Sequence, residues 1–256
     1  MVKGLYTAYT GMINEQNRMD IMTNNLANAS TVGYKKEGST SQSFDDVLTV
    51  KIKDQSVGMR NVQRLGVKNP GVKIGENYTD YSQGSFRITG NTYDLALSGE
   101  GFFAIEFTNK AGETDTKYTR AGQFTLNKDG YLVTEEGDYV LDTQNRRIRL
   151  NTLIDSSITD DGTIYQNGQA VAKIQVTDFE DYDYLEKYGE TYYQPIQGAK
   201  TIAAKAQVKS GYLEMANVQI VSEMVNLISI TRAYESNQKV VQTIDDTLDV
   251  AVNQIG

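Results

Sequence analysis

The densest cluster of chemistry-bearing side chains in this 256-residue sequence is a run of carboxylates: Asp178, Glu180, Asp181, Asp183 and Glu186. Carboxylates this close together could ligate Ca²⁺ or supply the acid and base of a glycosidase. The run lacks the spacing and central glycine of a calcium-binding loop, and Tyr182 and Tyr184 interleave it. A solvated loop after a strand at Ala172–Val176 is the simpler reading. Gly99-Glu-Gly-Phe-Phe-Ala104 fits the G-x-G-x-x-A pattern, whose glycines must open a helix that receives a pyrophosphate. Here Phe102–Phe107 reads as a strand and no β-α-β unit surrounds it, so the glycines make a tight turn. Arg146, Arg147 and Arg149 form the densest basic cluster, which in an acidic chain pairs with its own carboxylates or with a neighbouring subunit. Met12, Met19 and Met22 could line an adaptable peptide groove, but their helical spacing reads as packing.

The absences narrow the chemistry further. With no His and no Cys, Ser-His-Asp and Cys-His catalysis, imidazole or thiolate zinc sites and dithiol redox chemistry are all excluded. A net charge of −8 argues against nucleic acid as a partner, because phosphate binding needs clustered Lys and Arg. There is no cofactor motif, no metal motif and no sign of a small-molecule substrate. No apolar run approaches bilayer-spanning length. Asn14, Glu15, Asn17 and Arg18 interrupt any secretory h-region, so the chain is expected to stay in the cytoplasm or to leave without a cleaved signal.

The elements that would position these residues fall into three kinds. From about Leu5 to Asn28, the residues Leu5, Ala8, Met12, Glu15, Met19, Met22 and Leu26 step by three and four, the seam of a coiled-coil-like helix. From about Asn217, expected as N-cap, to Ile255 a second seam runs through Met224, Leu227, Thr231, Tyr234, Gln238, Val241, Ile244, Leu248 and Ala251. Between them, period-two segments alternate with Asp129–Gly130, Glu136–Gly137, Asp161–Gly162 and Asn167–Gly168 turns, which indicates strands with one buried face. The expected fold is mixed and mainly β, with long terminal helices bracketing a β-rich middle. Its expected parts are an N-terminal helix at 1–30, an extended connector with short strands at 31–93, a β-rich domain at 94–209 and a C-terminal helix at 210–256. The two seams can pair with each other, with other copies, or both.

Three sequence blocks carry a resemblance. The first is Gly4-Leu-Tyr-Thr-Ala-Tyr-Thr-Gly-Met12 with Asp20-Ile-Met-Thr-Asn-Asn-Leu-Ala-Asn28 and Thr31-Val-Gly-Tyr-Lys35. The second is Asp94-Leu-Ala-Leu-Ser-Gly-Glu-Gly-Phe-Phe103 with Tyr118-Thr-Arg-Ala-Gly-Gln-Phe-Thr-Leu126 and Gly130-Tyr-Leu-Val-Thr134. The third is Gly211-Tyr-Leu-Glu-Met-Ala-Asn-Val218 with Glu223-Met-Val-Asn-Leu-Ile228 and Arg232-Ala-Tyr-Glu235. In this order they resemble the bacterial flagellar rod and hook protein family. The terminal blocks are closer to the distal-rod type, with the proximal-rod relative as the alternative. Tyr9 departs from the small residue of that pattern, and its bulk is at odds with inner packing there.

The resemblance implies a structural subunit of the basal-body rod, used in motility and not an enzyme. Such subunits polymerise helically through their terminal helices into a hollow drive shaft. The implied partners are further copies of the chain, neighbouring rod and hook proteins, and the flagellar type III export apparatus. The implied location is extracytoplasmic. The residues expected to carry self-assembly are Leu5, Ala8, Met12, Met19, Met22, Leu26, Met224, Leu227, Thr231, Tyr234, Val241, Ile244 and Leu248. Lacking their neighbours, the helical ends of a free subunit are expected to fray. The rival expectation is a secreted carboxylate-dependent enzyme or carbohydrate-binding protein using the Asp178–Glu186 loop.

Overall fold

A computed structural model describes residues 2–51, 63–109 and 112–253. Two long helices, α1 (Val2–Ala27) and α2 (Ile220–Asn253), bracket a β-rich middle, as the periodicities predict. The chain divides into two compact units. One takes its residues from Met1–Leu26, Glu37–Asp80 and Gln219–Gly256, the other from Ala27–Lys36 and Tyr81–Val218.

In the helical unit, four strands follow α1: β1 (Glu37–Ser43), β2 (Val47–Lys51), β3 (Gln63–Lys68) and β4 (Val72–Thr79). β1 pairs with β4 and β2 with β3, both antiparallel, so the connector is a two-stranded ribbon. Its junction with α1 is fixed by Asn25, which is fully buried. The Asn25 amide donates to the Glu37 carbonyl at 2.7 Å and its oxygen accepts from the Glu37 N–H at 2.9 Å. One side chain thus satisfies both backbone groups of the first strand residue, as a ladder partner would.

In the β-rich unit, β5 (Phe86–Ile88) and β6 (Leu95–Ser98) lead into β7 (Phe102–Thr108), β8 (Thr114–Thr119), β9 (Phe124–Leu126), β10 (Leu132–Thr134) and β11 (Tyr139–Val140). A separate meander follows: β12 (Ser156–Ile158), β13 (Thr163–Gln166) and β14 (Gln169–Lys173). Its β13–β14 turn is Asn167–Gly168, with φ of 51° and 76°. Both are positive, as the type I′ turn requires. The chain returns to the main sheet through β15 (Val176–Phe179), β16 (Leu185–Tyr188), β17 (Tyr192–Pro195) and β18 (Thr201–Ala203). Finally β19 (Gln207–Ser210) pairs with β6 and β20 (Tyr212–Glu214) pairs with β5.

Three details depart from the sequence reading. β7 is buried on both faces: Phe103 packs with Leu95, Phe124 and Val140, while Phe102 and Ala104 pack with Tyr118, Phe179 and Tyr193. The alternation broke down because Ala104 is apolar as well as small, so only Glu106 signalled a polar face. The expected strand at Ala172–Val176 is interrupted, with Ile174 bridging to Asp142 and the Gln175 N–H donating to the Leu141 carbonyl at 3.0 Å. Asn217 lies ahead of the start of α2. Its oxygen instead accepts from the Lys36 N–H at 2.7 Å, and its amide donates to Ser82.

The segments at either end of this unit are held by a buried charge cluster. The Lys35 ammonium lies 2.7 Å from Glu214 Oε1 and the Arg120 guanidinium 3.4 Å from Oε2, all three side chains at most 3% exposed. Lys35 also donates to the Ser82 carbonyl, and Gly84 N–H to Glu214. Gly33, at φ 70°, lies so close to the Arg120–Ala121 backbone that a Cβ would collide. The Gly-Tyr-Lys block therefore reads as a docking strand, with Gly33 N–H donating to the Glu214 carbonyl.

Candidate assembly interface

Within the helical unit, α1 and α2 face each other through small residues. A Cβ added at Gly4 would meet Ile244 Cδ1 at 3.6 Å, and one at Gly11 would meet Asn237 Nδ2 at 3.0 Å. Residue numbers rise along α1 as they fall along α2, so the pair is antiparallel. Ala8, between the two glycines, is buried. Gly4, Ala8 and Gly11 stack at spacings of four and three on one face of α1, which leaves room for the ends of the Ile244 and Asn237 side chains. These contacts pair the two ends of a single chain, one of the pairings the sequence leaves open.

A second face of α1 lies on the β1–β4 ribbon and its approach. Thr7 Oγ1 donates to the Pro70 carbonyl at 3.1 Å, and Asn14, buried on the helix, donates to Ser41 Oγ at 3.1 Å. These polar contacts set the ribbon against the helix.

The expected seam residues distribute as follows. Ala8 is buried, and Leu5, Met12, Met19, Met22, Leu26, Leu227, Thr231, Tyr234, Val241, Ile244 and Leu248 are partly buried. Met224 is exposed, and Gln238 is exposed where the neighbouring Asn237 takes the inward position. Ile255, the last residue of the seam, lies outside the described residues. Glu15, the polar interruption on α1, holds Arg18 one turn on at 3.1 Å.

A further set of apolar side chains is exposed, of which the sequence singles out only Tyr9 and Met224. Tyr6 and Tyr9 are 63% and 52% exposed, and Ile13 joins them one turn later. Tyr9 therefore takes little part in inner packing. On α2, Val221 and Val225 are 76% and 58% exposed, beside Ile220, Met224 and Ile228. The signal was present in the sequence: seven of the eleven residues 220–230 are apolar. Their side chains spread over more than half of the helix circumference, more than a single partner helix covers.

The other candidate clusters are engaged structurally. Asp178 accepts from the Phe179 N–H and the Tyr182 hydroxyl, Asp181 accepts from the Asp183 N–H, and Glu180 pairs with Lys200. Burial, with help from Asp178, pushes the Tyr182 hydroxyl well above its ordinary range. The carboxylate-enzyme reading draws no support from this arrangement. Arg147 grips Glu106 through two bonds at 2.6 and 2.9 Å, which holds the Glu106 carboxyl below its usual value, and Arg146 pairs with Asp142. Gly99 and Gly101 form the turn into β7, with φ of 119° and 136°.

Three family descriptions match the chain in order. Residues 5–35 match a flagella basal body rod protein model, 96–168 a flagellar hook protein FlgE/F/G D1 domain, and 209–255 the flagellar basal body rod FlgEFG protein C-terminal model. The chain is 34% identical to the flagellar basal-body rod protein FlgG of Bacillus subtilis, over 99% of each chain. It is 32% identical to FlgF of Caulobacter vibrioides, covering 100% of this chain and 99% of that one. It is 31% identical to the flagellar hook-basal body complex protein FlhO of Bacillus subtilis, with the same coverage.

Proposed function

Because the chain belongs to the flagellar basal-body rod and hook protein family and is a structural rod subunit, we propose that it polymerises with copies of itself through its terminal helices. It is a basal-body component that assembles with other rod and hook proteins. In the proposal twelve of the thirteen seam residues from Leu5 to Leu248 keep the helices in register, and Met224, with the exposed residues around Tyr9 and Val225, meets neighbouring copies. The β-rich unit adds outer contacts. The polymer is the hollow shaft of the rod, of the distal type, lying outside the cytoplasm. Subunits reach it through the flagellar export apparatus without a cleaved signal, and the chain performs no catalysis.

One observation carries this reading: the first turns of α2 expose apolar side chains opposite the face that α1 covers. Isolated helices gain most of their stability from burying such faces. The test is polymerisation of the purified full-length chain, followed by sedimentation and electron microscopy, with a labelled copy located in isolated basal bodies. Concentration-dependent filaments and label on the rod are expected. A chain that stays monomeric at high concentration, with label elsewhere, overturns the reading.

A further inference from the structure

The contacts of the helix pair fix where its two exposed apolar patches lie. Gly4 faces Ile244 and Gly11 faces Asn237, and each pair of numbers totals 248. Residue n of α1 is therefore level with residue 248 − n of α2. Tyr9 is level with residue 239, fourteen residues from Val225, or about 21 Å along the axis. The aromatic patch Tyr6–Tyr9–Ile13 and the aliphatic patch Ile220–Ile228 thus occupy opposite ends of one helix pair.

They also point away from the surfaces already in use. At ~100° per residue, Val221, Val225 and Ile228 project within a narrow arc, and Leu227, Ile230, Tyr234 and Val241 lie roughly opposite. Beyond Ile228 the outer arc carries Arg232, Lys239 and Asp246. The apolar surface on that side is thus concentrated at the beginning of α2, and returns only at Val250, about 33 Å further along the helix. On α1 the Tyr6–Ile13 arc stands apart from both the glycine face and the Thr7–Asn14 face on the ribbon.

Resting on the assembly reading above, we infer that the two patches meet each other between copies, head to tail: Tyr6, Tyr9 and Ile13 of one subunit dock on Val221, Met224, Val225 and Ile228 of the next. The occupant is a second copy of this chain, for two reasons. Patches at opposite ends of a rigid pair cannot satisfy each other within a subunit, and a heterologous contact that does not close on itself generates an open filament. The area is also of the right order: the exposed parts of both patches come to roughly 800 Å² per contact, below the 1,200 Å² or more of a stable pairwise complex. A single such contact leaves subunits separate, while a lattice in which each subunit uses both ends holds together.

The absence of cysteine makes this testable without background. Tyr9→Cys and Val225→Cys chains are purified separately, one carrying a size tag, mixed, polymerised and oxidised with copper–phenanthroline. Within one chain these positions are too far apart for a disulfide, which needs Cα atoms within about 7 Å. Heterotypic dimers are expected to exceed homotypic ones at least ten-fold, and to vanish at concentrations where the chain is monomeric. Ile13→Cys with Val221→Cys is run in parallel, so that one poorly aligned pair does not decide the result. Homotypic products, or no heterotypic product from either pair in chains that polymerise normally, overturn the head-to-tail contact and leave the assembly reading standing. A wild-type chain that never polymerises overturns both.

Discussion

Replacing Val225 with Glu places a charge in the middle of the exposed α2 patch without touching the packing of the free subunit. Four residues there, Val221, Met224, Val225 and Ile228, are 76%, 47%, 58% and 52% exposed. Fully burying such a side chain is worth about 2 kcal/mol, so covering what is exposed contributes on the order of 5 kcal/mol per subunit. Val225→Glu forfeits about 1 kcal/mol of this, and a carboxylate taken from water without a partner costs several more. A combined penalty of about 4 kcal/mol corresponds to roughly a thousand-fold higher critical concentration. The monomer is a different matter: on a solvent-facing helix position Glu is a better helix former than Val by a few tenths of a kcal/mol. Pelleting across a concentration series measures the first quantity, and thermal unfolding of dilute protein the second. Val225→Ile serves as the control that keeps the apolar surface. If Val225→Glu polymerises at the wild-type concentration with an unchanged melt, this face of α2 makes no contact and the reasoning fails.

Gly11→Ala brings a Cβ to 3.0 Å from the flexible end of Asn237, so its melt is expected to match or exceed wild type by up to about 1 kcal/mol of helix propensity. Gly11→Leu forces the helices apart and is expected to lower stability by about 1–3 kcal/mol. Asn25→Ala removes both bonds to Glu37, and a loss of about 2–3 kcal/mol is expected in urea titration, with faster hydrogen exchange at the Glu37 amide. Two carboxylates should respond to pH in opposite senses. Burial, only partly offset by the bond from Tyr192, raises the Asp138 pKa above its ordinary 3.8, so its contribution to stability is lost as pH rises through the raised value. Asp138→Asn should therefore stabilise at neutral pH, with the gain shrinking in acid. At Asp142 burial is outweighed by bonds from Arg146 and Thr143, and the pKa is lowered. Asp142→Asn should then destabilise at neutral pH and converge on wild type as pH falls through the lowered value, which melts between acid and neutral pH would record.

The helices were legible because their signal is local. Steps of three and four along Leu5–Leu26 and Leu227–Leu248 survive without knowledge of the partner, and the Asn167–Gly168 turn announces itself through its backbone demand. The exposed residues were less legible because a seam is found by looking for one stripe. Val221 and Val225 lie outside that stripe, and Tyr9 read as a family departure. Long-range chemistry left no trace at all. Lys35 and Glu214 are 179 residues apart, and nothing in either neighbourhood indicates that they share a buried cluster with Arg120. Asn217 looked like a helix cap because Asn commonly caps, yet its side chain satisfies a strand-like segment far away in sequence. Pairwise polar contacts depend on topology, which periodicity does not encode.

The pairing of α1 with α2 is thin, and this reconciles a helical hairpin with a polymerising subunit. At Gly4 and Gly11 only the ends of Ile244 and Asn237 come near, so the pair presents little apolar surface, and hydrophobic stabilisation scales with the area removed from water. Of the 34 residues of α2 only Glu223 and Ile230 are buried. Most of the helix, from the Val221 patch onward, is at best partly covered by its own chain. An interface of this kind sets the register and direction of the two helices cheaply, yet leaves the larger share of α2 to be covered by something else. Widening the in-chain contact with large residues would stabilise the free subunit and remove the surface a neighbour needs. Small residues inside the pair and large apolar ones at its two ends are what a subunit requires if it must arrive separately and then join a filament.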